Sequence, residues 1–115
     1  MTLPIDFLPE AELEVEAAYV WYERQRPGLG LQFLLAFDAA VVRAAESPRV
    51  FPKAARRTRK ALLRRFPYLV LYVVEESRIL ITGVFHGHRD PDAWSDRIRE
   101  KTTRYVTSAD PIAAS

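Results

Sequence analysis

The sequence predicts an α+β domain in the order β-α-α-β-β-β, with an αα-hairpin packed on a twisted, mainly antiparallel sheet. Three observations carry this. Residues 68–74 and 79–85 are rich in β-branched and aromatic side chains and flank a polar break of hairpin length at 75–78. Two stretches of helical periodicity lie earlier in the chain, separated by Pro27-Gly28-Leu29-Gly30. The helices precede the run of strands instead of alternating with them, which points away from a parallel βαβ sheet.

In chain order, residues 3–8 alternate apolar and other side chains and read as a first strand, placed at an edge by Pro4. Pro9 suits the first turn of a helix, where its missing N–H costs nothing. Over 10–26, Leu13, Ala17, Val20 and Trp21 recur on one helical face. Glu10, Glu12, Glu14 and Glu16 near the start, and Arg24 and Arg26 near the end, complement the helix dipole. The second helix, 31–46, carries Phe33, Leu34, Phe37, Val41, Ala44 and Ala45 on one face and stops before Pro48. A loop over 48–58 leads to a strand over 59–66, which with the hairpin makes three consecutive antiparallel strands. Along 68–74, Tyr68, Val70, Tyr72 and Val74 share one face and Leu69, Leu71 and Val73 the other, so one of these faces is core. Trp21, Phe33, Phe37, Leu71 and Val73 are expected to be buried between helices and sheet. After Pro91 a short amphipathic segment holds Trp94, Arg97 and Ile98. The domain is expected to span 1–106, with 107–115 a frayed tail.

A chain of 115 residues is one domain with room for a core. It has no cysteine, so disulfides and thiolate metal sites are excluded. It shows no signal peptide and no apolar run of spanning length, and is read as soluble and cytoplasmic. The net charge of +2 is unevenly spread: residues 1–47 carry eight acids and three bases, residues 48–115 fourteen bases and seven acids. Lys53, Arg56, Arg57, Arg59, Lys60, Arg64 and Arg65 fall within thirteen positions that hold no acid. Such a stretch attracts phosphates or an acidic protein surface.

The hairpin ends in His86-Gly87-His88-Arg89-Asp90-Pro91, which packs imidazole, guanidinium and carboxylate groups into six residues. The H-x-H-x-D spacing resembles a metal run, but a metal centre needs at least three ligands and the chain has only two histidines. No metal or cofactor is expected. His86 or His88 suits acid–base chemistry near neutrality, against a plain reading in which Asp90 caps the turn and pairs with Arg89. No serine sits in a glycine-flanked elbow, and Gly28 and Gly30 do not make a phosphate loop. Tyr68, Tyr72, Phe85 and Trp94 beside basic residues suit base stacking, although aromatics on strands more often serve packing.

The stretches PEAELEVEAAYVWYE, PGLGLQFLLAFDAAV, ESPRVFP and RRFPYLVLYVVEESRILITGVFHGHRDPDAW together resemble the RelE/ParE superfamily of type II toxins, specifically its ParE-like, plasmid-stabilisation branch. The resemblance runs over residues 7–97 and implies the same β-α-α-β-β-β order. It also implies a cognate antitoxin and hence a hetero-oligomer. An antitoxin segment is expected along the helical hairpin and sheet edge, on Trp21, Leu35, Arg56, Arg57 and Arg59.

Two activities compete within the superfamily. RelE-like members cut mRNA on the ribosome using sheet cations and an aromatic acid/base; ParE-like members inhibit DNA gyrase by binding. Lys60 and Arg89 match basic positions of the nuclease type, but Leu62 and Leu69 stand where that type carries cations. No tyrosine follows the cluster until Tyr105, and the indole of Trp94 exchanges no proton at neutral pH. The ParE-like reading is therefore preferred, with His88, Arg89, Asp90 and Trp94 as target contacts. The nuclease reading would use Lys60, His86, His88 and Arg89 as catalytic candidates. An inactive toxin fold that only binds its antitoxin is the third reading.

Overall fold

The computed structural model describes residues 2–98. The expected tail at 107–115 and the last residues of the 1–106 domain lie outside these. The order is β1 (Ile5–Phe7), α1 (Pro9–Gln25), α2 (Leu29–Glu46), β2 (Thr58–Leu62), β3 (Tyr68–Val74) and β4 (Ile79–His86). A third helix, α3, covers 91–98. The strands form one sheet in the order β1-β4-β3-β2. β1 lies parallel to β4, and the other two pairings are antiparallel. The α+β class and the element order are those expected.

Local chemistry accounts for most boundaries. Pro9 opens α1 without an orphaned N–H. Gly28, at φ 89°, takes a left-handed conformation that suits glycine and lets α2 start at Leu29, two residues before the expected position. The Glu23 carboxylate closes this turn by accepting the backbone N–H groups of Gly28 (3.0 Å) and Gly30 (3.0 Å). β2 ends at Leu62, not at residue 66. Arg65 at φ 69° turns the chain out of the extended region, and the Leu63 N–H donates to the Tyr68 carbonyl at 3.0 Å.

Helix α1 is rotated from the expected orientation. Its buried residues are Ala11, Ala18 and Tyr22, whereas Leu13 is 66% and Trp21 45% exposed. The reason is steric: small alanines let the helix approach the sheet closely, and Tyr22 alone fills the space beside Phe33, Phe66 and Tyr68. The expected burial of Trp21 is therefore wrong, while Phe33, Phe37, Leu71 and Val73 are buried.

The sheet is covered on both faces. The hairpin covers Ala61, Val70, Tyr72, Ile81 and Val84. On the second face Leu69, Leu71, Phe85 and Ile98 form a smaller cluster with Ala54, Ala55 and Trp94 packed against it. Leu71 is thus buried under α3 and the 53–57 loop, not under the hairpin.

Bonds to other elements cover β2 and the part of β4 that extends beyond β1. Beyond β1, the Glu14 carboxylate accepts the Val84 N–H at 3.0 Å and pairs with Arg97 at 2.8 Å. Arg97 also donates to the Thr82 carbonyl at 3.3 Å and lies 5.0 Å from the Phe85 ring centre. On the β2 side, the Lys60 N–H donates to Pro52, the Thr58 carbonyl accepts Ala54 and Ala55 N–H groups, and Arg43 donates to Leu62. Such blocking disfavours pairing with a foreign strand.

Candidate functional site

The strand register divides the nuclease candidates between the two faces. Lys60 stands opposite Leu71, on the second face, with its ammonium 5.8 Å from the Trp94 ring centre. His86 stands opposite Tyr68, on the hairpin face, with ring centres 5.4 Å apart. Leu62 and Leu69, paired across β2 and β3, continue the apolar second face; Leu62 is exposed and Leu69 buried.

His86 organises the turn that follows β4. Its Nδ1 accepts the backbone N–H groups of His88 (3.2 Å) and Arg89 (2.9 Å). A ring nitrogen that accepts carries no proton, so Nε2 carries it and the ring is neutral. Burial, then the Arg89 guanidinium and His88, push its pKa below the usual histidine value, with Asp90 acting the other way. The cap expected of Asp90 is thus supplied by His86. Asp90 contributes backbone instead: its N–H donates to His86 and its carbonyl accepts Trp94, starting α3.

Arg89 reaches back to α1 and lies 5.4 Å from the Trp21 ring centre. Trp21 meets Tyr22 edge-on at 5.1 Å. Burial and the nearby Tyr68 raise the pKa of Tyr22, while Arg89 lowers it. His88 is exposed, 6.2 Å from His86 ring to ring. Trp94 is half-buried, and its indole N–H has no acceptor among the described residues.

The residues expected to meet an antitoxin fall into two groups. Trp21 and Leu35 are exposed on the outer sides of the helices, Leu35 at 60%. Arg56 and Arg57 are exposed in the loop before β2, and Arg59 donates to the Phe51 carbonyl at 2.7 Å. This loop lies at the opposite end of the sheet from the His86 turn, because Thr58 pairs with Val73 and Leu62 with Leu69. The structure therefore joins Trp21 to Arg89 and separates both from Arg56 and Arg57.

Sequence reading missed Tyr22 and the Glu14–Arg97 pair. Tyr22 follows Ala18 and Ala11 at i+4 and i+11, a small-residue stripe that marks close approach. Glu14 and Arg97 are 83 positions apart and leave no local signal. Among the described residues no three His, Cys, Asp or Glu side chains gather to hold a metal. No described helix is long and apolar enough to cross a membrane.

A family model described as the ParE toxin of the type II toxin-antitoxin system, parDE, matches residues 5–91. The chain belongs to the ParE toxin family. It is accordingly the toxin side of a type II toxin–antitoxin system, and membership implies an antitoxin partner. No curated protein sequence matches it. Among solved structures, the chromosomal ParDE toxin–antitoxin system from P. aeruginosa superposes with a TM-score of 0.66 at 17% identity, covering 74% of this chain and 96% of that one. The E. coli toxin RelE, as a double arginine-to-alanine mutant in the free state, gives a TM-score of 0.59 at 18% identity, covering 87% and 98%. At these identities both likenesses speak for the ParE/RelE fold alone.

Proposed function

We propose that this ParE-family toxin acts in the cytoplasm by binding DNA gyrase and does not itself cleave RNA. The observation that carries the reading is the state of the sheet's second face. Lys60 there lies beside Trp94 and an apolar cluster of Leu69, Leu71, Phe85 and Ile98, while His86 sits on the other face. Phosphodiester cleavage draws most of its rate from charges aimed at the developing anion. Here the positions that would supply them are Leu62 and Leu69. A lone histidine contributes only about 10²–10⁴-fold, and His86 spends its Nδ1 on the turn.

The target surface in this reading is the exposed turn of His88, Arg89 and Asp90 with Trp94 behind it. The antitoxin takes the helical hairpin, where Leu13, Trp21, Leu31, Leu35 and Val42 are exposed. An open groove of about 340 Å³ between α1, α2 and β1, lined by Phe7, Val15, Tyr19, Leu34 and Phe37 with Glu12 and Glu16, offers apolar seats for anchor side chains. Arg56, Arg57 and Arg59 steer acidic residues of the same partner.

The deciding experiment is expression of the toxin in cells with parallel readouts of plasmid supercoiling and of mRNA cleavage on ribosomes. Loss of supercoiling with intact messages is expected, and Arg89→Ala should weaken gyrase binding without unfolding the chain. Rapid codon-linked cleavage with supercoiling unchanged would overturn the reading and restore Lys60, His86, His88 and Arg89 as catalytic candidates.

A further inference from the structure

Where β3 begins and β4 finishes, the hairpin side of the sheet gathers hydrogen-bond donors that binding through the exposed turn does not require. The Tyr22 and Tyr68 rings are 6.0 Å apart, and Tyr68 is 5.4 Å from His86. Arg89 lies over Trp21, which abuts Tyr22. Because Nδ1 of His86 accepts two backbone N–H groups, the proton it offers is on Nε2. Two largely buried phenol rings, an imidazole and a guanidinium are thus neighbours, from α1, the start of β3, the end of β4 and the turn after it.

The neighbouring turn adds positive charge. It carries the exposed Arg64 and Arg65 and is tied to this one by the Gly87 N–H donating to the Pro67 carbonyl at 2.8 Å. Arg65 holds φ 69°, a region that side-chain-bearing residues avoid and that clusters at ligand sites. On α1, the Glu23 carboxylate is occupied by the N–H groups of Gly28 and Gly30. The exposed apolar side of α1, with Leu13, Ala17 and Val20, leads along the helix to Trp21 at this cluster.

We infer that the Tyr22–Tyr68–His86–Arg89 cluster receives a side-chain carboxylate from the antitoxin segment lying on the outer face of α1. Arg89 is the charged donor of the group and favours an anion, its planar fork matching a carboxylate. The approach along Leu13, Val20 and Trp21 favours a peptide: an amphipathic segment brings apolar anchors as well as the acid. A polynucleotide gains little from aliphatic side chains. The inference rests on the antitoxin reading above and adds one consequence. Arg89 also belongs to the proposed target surface, so a bound antitoxin masks it, and neutralisation follows from occlusion.

The test uses the full chain and the protein encoded by the reading frame beside its gene, with affinity measured by calorimetry and association rates measured at several salt concentrations. Arg89→Ala should weaken binding at least about tenfold, a loss of about 1.4 kcal/mol, and flatten the salt dependence of association. Arg89→Lys should recover part of this, and Tyr22→Phe, which keeps the ring and removes only the hydroxyl, should cost about threefold. Binding within about twofold of wild type for Arg89→Ala, with salt dependence unchanged, overturns the carboxylate site and leaves the antitoxin reading standing. No binding by the wild-type chain overturns that reading itself. A labelled duplex oligonucleotide that binds more tightly than the protein partner at equal salt, and is lost in Arg89→Ala, replaces the carboxylate by phosphate and also overturns the inference.

Discussion

His86 is a side chain whose protonation the fold opposes. To charge, it must give up the acceptor at Nδ1 that holds the His88 and Arg89 N–H groups, and it must do so near the Arg89 guanidinium. Its folded pKa lies below the unfolded one, so the unfolded chain binds the proton more readily. The contribution to stability is therefore complete above the ordinary histidine value of about 6.5 and is lost as pH falls through the lower folded value. Denaturation at pH 7.5 and pH 5 should show the wild type less stable at the acid end. His86→Asn, whose amide oxygen can accept the same N–H groups but does not titrate, should lose part of that dependence. An identical pH profile for both proteins would mean that the turn does not depend on a neutral ring.

At the scale of elements, two contacts decide how helices sit on the sheet. Phe37 is buried between α1, α2 and β1, stacked at 6.5 Å on Phe33 and tilted at 6.0 Å against Phe7. Phe37→Ala should cost about 3–5 kcal/mol in chemical denaturation, a large share of a small domain's stability. The second contact is Glu14, which joins α1 to both the β4 edge and α3 through Val84 and Arg97. Glu14→Ala leaves the Val84 N–H without its acceptor and Arg97 without its partner. A loss of about 1–3 kcal/mol is expected, with faster amide exchange at Val84 and along 91–98. Exchange unchanged in α3 would show that Ile98 and Trp94 hold it without the ion pair.

Over the whole molecule, the apolar surface is distributed unevenly. The sheet is packed on both sides, yet the outer sides of α1 and α2 leave Leu13, Trp21, Leu31, Leu35 and Val42 exposed. The chain alone should self-associate at high concentration through this surface. Trp21→Ser combined with Leu35→Ser should reduce that self-association in sedimentation experiments and weaken antitoxin binding, with little loss of stability. A large loss of stability would return Trp21 to the core.

Elements and class were legible in the sequence because their causes are local. Pro9 starts a helix, Gly28 permits the left-handed turn, Pro48 stops α2, and β-branched alternation makes β3 and β4 whatever surrounds them. The HGHRDP cluster was visible for the same reason. Tertiary packing decided the rest. α1 has two apolar stripes, and periodicity ranks the larger side chains of Leu13 and Trp21 above Ala11 and Ala18. Close approach to a sheet selects the smaller ones, so the expected core face became the outer face. Alternation separates Lys60's face from that of His86 only once the strands are in register. The charge of Glu14 finds Arg97 only when α3 folds across the β4 edge, because a contact between residues 83 positions apart has no local cause.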